Sequence, residues 1–303
     1  KPVLMGIDWK RATWPLSDAD MLVLNELFRT HVKKALAQGA FGLPEEAMPT
    51  ILLPRDADAK KLGIPDDPNL MGLMRPKDWL LVACKSGVTS IIQAAKDGED
   101  ITSAIRELAS TLYHEARHAQ QDFWMAALLQ QHAGDYAHLP HIQRVWGGFM
   151  SDKHLGVAAN TPLPDEPSAR VGLHRMLVGK YYWLLCYYDS MNKRLPKDKP
   201  RYLADILPSE IPLARKAAYE LLQDVGLGGM PIDVEQMAQG VEGSYGYRMR
   251  PWEEDSFACD EVVKGLWNGH AGGVLPQPGF CTRAFGIATG TLQGQAGGGA
   301  HAH

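Results

Sequence analysis

A chain of 303 residues with 45% hydrophobic and 22% charged residues has ordinary globular composition, which excludes disorder, collagen and coiled coil and leaves room for one large domain or two modest ones. The 31 Lys and Arg against 35 Asp and Glu leave a formal charge of -4 with no basic run, so nucleic acid is not an expected partner. The longest apolar run, Tyr181 to Tyr188, stops at Asp189, far short of the roughly 18–20 residues of a membrane span, so a soluble protein is expected.

The first third alternates element types. Asp18 to Leu36 repeats apolar residues at helical spacing (Met21, Leu24, Leu27, Phe28, Val32, Leu36) behind Ser17 or Asp18 as N-cap, which predicts a helix. Ile51-Leu52-Leu53, closed by Pro54, and Trp79 to Cys84, closed by Lys85-Ser86-Gly87, read as two short strands. Between them, Asp56 to Asn69 carries Pro65, Pro68 and several aspartates and reads as a surface connection. From Asp100 the period changes. Ile101, Ile105, Leu108, Leu112, Glu115 and Ala119 share one stripe, and neither glycine nor proline intervenes before Gly134, so a long helix is expected.

His138 to Pro167, rich in Pro, Gly and His, reads as a long loop or short elements. Three further helices are predicted: Ala169 to Leu195, Ile211 to Val225 with Pro212 in its first turn, and one from Pro251 to Leu266. Gly269 to His303 is dense in Gly, Pro, Ala and Thr, has little to bury, and reads as a tail or linker. Cys84, Cys186, Cys259 and Cys281 form no C-x-x-C pair and are read as reduced, buried small residues. The sequence opens on Lys1-Pro2 with no visible leader, which suggests a removed leader or a piece of a longer chain.

The chemistry concentrates in His114-Glu115-Ala116-Arg117-His118, in the middle of the long helix. Residues four apart lie one turn above each other, so the two histidines project imidazoles at a separation one metal ion can bridge. Glu115 lies about 100° around the axis, off that clamp but within reach of a water on the metal, the place of a general base. Imidazole ligands with an open position suit Zn²⁺, which acidifies a bound water from about 15.7 towards about 7. Glu115 also interrupts an apolar stripe, where a carboxylate is costly unless paired or metal-linked. The competing reading makes both histidines packing or surface residues and pairs Glu115 with Arg117 or another cation.

Leu112-Tyr113-His114-Glu115-Ala116-Arg117-His118-Ala119-Gln120-Gln121 resembles the active-site helix of gluzincin-type zinc peptidases, including bacterial HExxH domains with Gln after the second histidine. The resemblance covers about Ile51 to Leu129 and one later segment. It implies an α+β, mainly helical, zincin-like fold: a small mixed sheet packed on the HExxH helix, with its edge strand antiparallel to bound peptide. Trp79 to Cys84 is the candidate for that edge. Tyr247-Arg248-Met249-Arg250-Pro251-Trp252-Glu253-Glu254-Asp255-Ser256-Phe257-Ala258 is similar to the R-P-x-E-x-D/E-A segment that carries the third ligand in several such families, with Ser256 where the pattern has alanine.

By that match Glu253 is the third zinc ligand, and Asp255 is an acceptor that orients a ligand imidazole. Glu254, Glu166 and Asp122 remain open as rivals for the third position. Glu253 stands 135 residues beyond His118 (253 minus 118), which a helical insertion over about 127–240, inside a domain of 1–268, would explain. The metzincin variant is excluded, because Gln121 and Trp124 occupy its glycine and third-ligand positions. The resemblance implies a zinc-dependent hydrolase, a metallopeptidase acting on protein or peptide with Glu115 as general base. Tyr245, Tyr247, Arg248 and Arg250 are candidate oxyanion donors. The alternatives are a non-catalytic zinc-binding structural domain, or an effector (toxin) module. An effector would be cut from a larger parent polypeptide or carried by a delivery partner. With no visible leader, the chain itself is expected in the cytoplasm or exported by a leaderless route.

Overall fold

The computed structural model describes residues 6–165, 167–196, 198–199, 201–204, 206–225, 245–248 and 250–269. In chain order the elements are α1 (Asp18–Leu36), β1 (Thr50–Leu52), α2 (Asp56–Lys61), β2 (Gly72–Arg75), β3 (Leu80–Ala83), α3 (Lys85–Lys96), α4 (Ile101–Gln131), α5 (Ile142–Phe149), α6 (Asp152–Asn160), α7 (Pro167–Arg194), α8 (Glu210–Val225) and α9 (Pro251–Gly269). A single helical turn, Tyr245–Arg248, precedes α9. The fold is α+β and mainly helical, with one small mixed sheet.

The organising element is α4, the long helix that carries the histidine pair. Asp100 starts it, its side chain accepting from the Thr102 amide at 2.9 Å. Its first turns bury one stripe, Ile105, Leu108 and Leu112, but from Ala116 to Leu129 every residue is buried. A helix covered on all sides sits at the centre of a domain. Here α1, α3, α6, α7, α9 and the sheet all pack on α4. Arg117, His118, Gln120, Gln121 and Asp122 are therefore polar groups in a core, and each needs a partner there.

The sheet has the order β1-β3-β2, with β1 parallel and β2 antiparallel to β3. The segment expected as the edge, Trp79 to Cys84, therefore contains the central strand, and this corrects the reading made from resemblance. The reason was visible in its composition: Leu80, Leu81, Val82 and Ala83 are all buried, and an apolar run without alternation marks a strand covered on both faces. Leu81 and Ala83 join the main core, while Leu80, Val82 and Cys84 form a small second cluster with Leu52, Leu62, Ile64, Leu70 and Leu73 packed around it. The strand beside α4 at the sheet edge is β2, which the sequence reading did not assign.

Within the expected surface connection, α2 forms one short helix with Asp56 and Asp58 in its first turn and Lys60 and Lys61 in its last, matching the helix dipole. It buries no side chain, so it left no periodic signal. The stretch around His138 to Pro167 resolves into α5 and α6, and α7 and α8 fall where periodicity placed them. Leu173, Met176, Leu177, Tyr181, Leu184 and Leu185 of α7 share one core with α1 and α4, so the helical region after α4 is packed into the same interior. Helix α9 runs three residues past the expected Leu266, to Gly269, and the tail reading over residues 270–303 falls outside the described residues. Cys84 and Cys186 are free, whereas Cys259 is disulfide-bonded, which corrects its reduced reading; isolated cysteines carry no pairing signal in sequence. Among the described residues no helix is long and apolar enough to cross a membrane.

Candidate metal centre

Two elements far apart in sequence form the site. The middle of α4 presents His114 and His118 on one face, and the first turn of α9 lays Glu253 across them. Pro251 opens α9, at a position where its missing N–H costs nothing. Gly179 of α7 lies against that turn, where a Cβ would make ordinary contact with the Trp252 ring at 3.5 Å and with Pro251 at 3.6 Å. All three side chains are nearly enclosed, with residue exposures of 7% for His114, 9% for His118 and 5% for Glu253.

Their donor atoms form a small triangle. His114 Nε2 and His118 Nε2 are 3.1 Å apart, and Glu253 Oε2 lies 3.3 Å from each. Although both carboxylate contacts fall within ion-pair distance, Glu253 Oε2 is buried without a hydrogen-bond partner. Burial alone would raise the Glu253 carboxyl, but the two imidazoles beside it hold it below the ordinary carboxylate range. Conversely, burial lowers the His118 imidazole, and the Glu253 carboxylate overrides this and lifts it to about 9.

This arrangement fits a tetrahedral metal. Zinc–ligand bonds of about 2.0–2.1 Å imply ligand–ligand edges of roughly 3.3–3.4 Å, close to the three observed separations. Two imidazole nitrogens and one carboxylate oxygen are a zinc donor set, and the orphaned Oε2 is the atom such an ion would satisfy. Among the described residues no fourth His, Cys, Asp or Glu joins the group.

The rivals for the third position are engaged elsewhere. Asp122 forms a buried ion pair with Lys180 of α7, and Glu254 contacts Arg175 of α7 at 3.3 Å. Glu166 lies outside the described residues. Arg117 pairs with Asp255, through Nε at 2.6 Å and through its second terminal nitrogen at 3.3 Å, and not with Glu115. The resemblance implied that Asp255 orients a ligand imidazole directly, whereas its contact with His118 runs through Gln121. Gln121 stands between them: its Oε1 is 2.9 Å from His118 Nδ1, and its Nε2 donates to Asp255 Oδ2 and to the Trp252 carbonyl, both at 2.8 Å, with Ser256 Oγ 3.1 Å away. Ser256 Oγ is itself 3.2 Å from His118 Nδ1, so the residue that departs from the alanine pattern belongs to this network.

Glu115 is half-buried on the flank of the clamp facing the sheet. Its Oε2 accepts the Met74 amide of β2 at 2.7 Å. Gly72 makes that approach feasible, because a Cβ there would meet Thr111 Cγ2 at 2.9 Å and Glu115 Cγ at 3.1 Å. Of the expected oxyanion donors, Arg248 lies over the Phe257 ring, which packs edge-on against His114 with centroids 4.7 Å apart, and Arg250 lies over Tyr247 and Trp183. Tyr247 sits edge-on to Phe257, and the Tyr245 side chain lies outside the described residues. Gln121 and Gly72 were missed from sequence. The cluster of polar residues at 117, 118, 120, 121 and 122, pointing around every side of an otherwise apolar helix, was the available signal for the first. No family model, curated protein sequence or solved structure matches this chain.

Proposed function

We propose that the chain is a zinc-dependent hydrolase, a metallopeptidase of the gluzincin kind acting on protein or peptide. The observation that carries this reading is the triangle of His114 Nε2, His118 Nε2 and Glu253 Oε2, with an orphaned carboxylate oxygen and with Glu115 beside it. These three residues would hold the zinc, which when bound supplies Lewis acidity to a carbonyl and to a water. Glu115 takes the proton of the attacking water and returns it to the leaving amine. The Met74 amide holds Glu115 Oε2, which leaves Oε1 as the proton-carrying atom. In this reading the edge to which an extended peptide adds is β2.

A purely structural zinc site is closed by four protein ligands, and the three-membered group among the described residues favours the hydrolytic reading over that one. The test is Glu115→Gln. Elemental analysis should still find about one zinc per chain, while cleavage of denatured protein or a quenched peptide library falls by roughly 10²–10⁴-fold. Cleavage at the parent rate would remove Glu115 from the chemistry.

A further inference from the structure

The Gln121 side chain is fully buried, and its hydrogen bonds leave no freedom in how its amide is turned. Three oxygens surround one end: the Trp252 carbonyl, Asp255 Oδ2 and Ser256 Oγ, at 2.8, 2.8 and 3.1 Å. Ser256 Oγ can donate or accept, but the Trp252 carbonyl and Asp255 Oδ2 only accept and match the two hydrogens of an NH₂ group, so the opposite end, 2.9 Å from His118 Nδ1, is the carbonyl oxygen. A carbonyl cannot donate, so the proton between them belongs to Nδ1. The second ring nitrogen, Nε2, is then the one with a lone pair to offer, and it is the atom in the triangle with His114 and Glu253. Moreover, Trp252 immediately precedes Glu253, and Asp255 and Ser256 follow it within one turn, so the same amide holds the backbone before the third ligand and side chains after it. Arg117, bound to both Asp255 oxygens, keeps that carboxylate turned towards Gln121.

We infer that Gln121 is the positioning residue of the metal centre: it sets His118 to bind through Nε2 and docks the first turn of α9 so that Glu253 reaches the two histidines. The inference rests on the metal-site reading above and adds to it a residue that couples α4 to a ligand 132 residues away (253 minus 121). Altered partners around metal ligands typically weaken affinity about 10–100-fold.

Two substitutions separate the two halves of the role. Gln121→Met keeps the length and removes both functions, whereas Gln121→Glu keeps an acceptor for Nδ1 but opposes Asp255 and offers no donor to α9. Zinc affinity would be measured by competition with a chromogenic chelator. The exchange-protected Nδ1–H of His118 would be followed by ¹⁵N–¹H spectroscopy in zinc-loaded protein carrying Ser256→Ala throughout, so that Gln121 Oε1 is the acceptor under test.

The expected results are zinc binding weakened about 10–100-fold in both variants, with the Nδ1–H signal lost in Gln121→Met and retained in Gln121→Glu. Parent-like affinity in both variants, or a persistent Nδ1–H in Gln121→Met, overturns the proposal while leaving the zinc reading intact. Failure of the parent to bind zinc would instead sink the zinc reading and, with it, the inference that rests on it. If Gln121→Met does not fold, Gln121→Glu carries the affinity test alone, and parent-like binding by it refutes the docking role.

Discussion

Gly72→Ala tests how the sheet edge is set against the helix that carries Glu115. Gly72 does not adopt a positive φ, so its backbone alone gives no reason to exclude a side chain. In the absence of other constraints, Gly→Ala at such a position stabilises by about 0.4–1 kcal/mol, because the unfolded chain loses freedom. The structure reverses the sign. The new Cβ would lie 2.9 Å from Thr111 Cγ2 and 3.1 Å from Glu115 Cγ, against ordinary carbon contacts of roughly 3.5–4.0 Å. Strand β2 must therefore lift from α4. Overpacking of this kind costs about 1–3 kcal/mol, and stretching the 2.7 Å Met74–Glu115 bond adds a comparable amount, so a net loss of about 2–4 kcal/mol is expected. Thr111→Ser removes the clashing methyl while its hydroxyl can keep the 2.9 Å bond to the Glu107 carbonyl. In denaturant unfolding of the parent, both single variants and the double variant, Thr111→Ser should recover most of the loss, a coupling of about 1–2 kcal/mol. The reasoning is refuted if Gly72→Ala unfolds at or above the parent midpoint, or if the two substitutions are simply additive.

Breaking the buried Lys180–Asp122 pair, whose side chains are 6% and 1% exposed, leaves an uncompensated carboxylate. Lys180→Met should destabilise by about 3–5 kcal/mol, and replacing Asp122 with Leu in the same chain should restore much of that loss, both read from chemical unfolding. Asn25 of α1 clamps the residue after β1, its Oδ1 accepting from the Leu53 amide at 2.7 Å and its Nδ2 donating to the Leu53 carbonyl at 3.2 Å. Asn25→Ala strands both backbone groups, and a loss of about 1–3 kcal/mol in the same assay is expected; a change under ~0.5 kcal/mol would show that water replaces the clamp. Burial, aided by the neighbouring His138, lowers the pKa of His174, whose Nδ1 is 2.9 Å from the Tyr136 hydroxyl. The unfolded chain then binds the proton more readily than the folded one. The contribution of His174 is therefore complete above about pH 6.5 and is lost as pH falls from there through the lower folded value. Unfolding midpoints of the parent and His174→Gln between pH 5 and 8 should diverge least at the acid end, and identical pH slopes would remove His174 as the source.

The parts legible in sequence were those whose signal is local. The α1 period, with Ser17 as the N-cap, and the α4 stripe rest on side chains that face a core at fixed spacing, so periodicity reports them. The same holds for the imidazole pair, because four residues of helix place two side chains on one face wherever the helix packs. Partnership across distance was not legible. Trp79 to Cys84 announced burial on both faces, yet which strands flank it depends on β2, four residues that bury only alternate side chains and, with a glycine and an arginine among them, show no strand-like run.

The choice among the three acidic residues shows where the limit lies. Glu253, Glu254 and Asp255 are chemically alike and adjacent, and a one-residue step rotates a helical side chain by about 100°. What separates them is what faces each direction: the histidine pair for Glu253, Arg175 for Glu254, and Arg117 with Gln121 for Asp255. Every one of those facing residues lies on α4 or α7 and is itself buried, so the choice is made by packing of three helices and not by any property of the acidic run. The cation for each carboxylate was present in the sequence, but only the rotation of α9 about its axis pairs them off. Gln121 and Arg117 set that rotation by gripping residues on either side of Glu253. The triangle is thus set by buried residues that stand outside it.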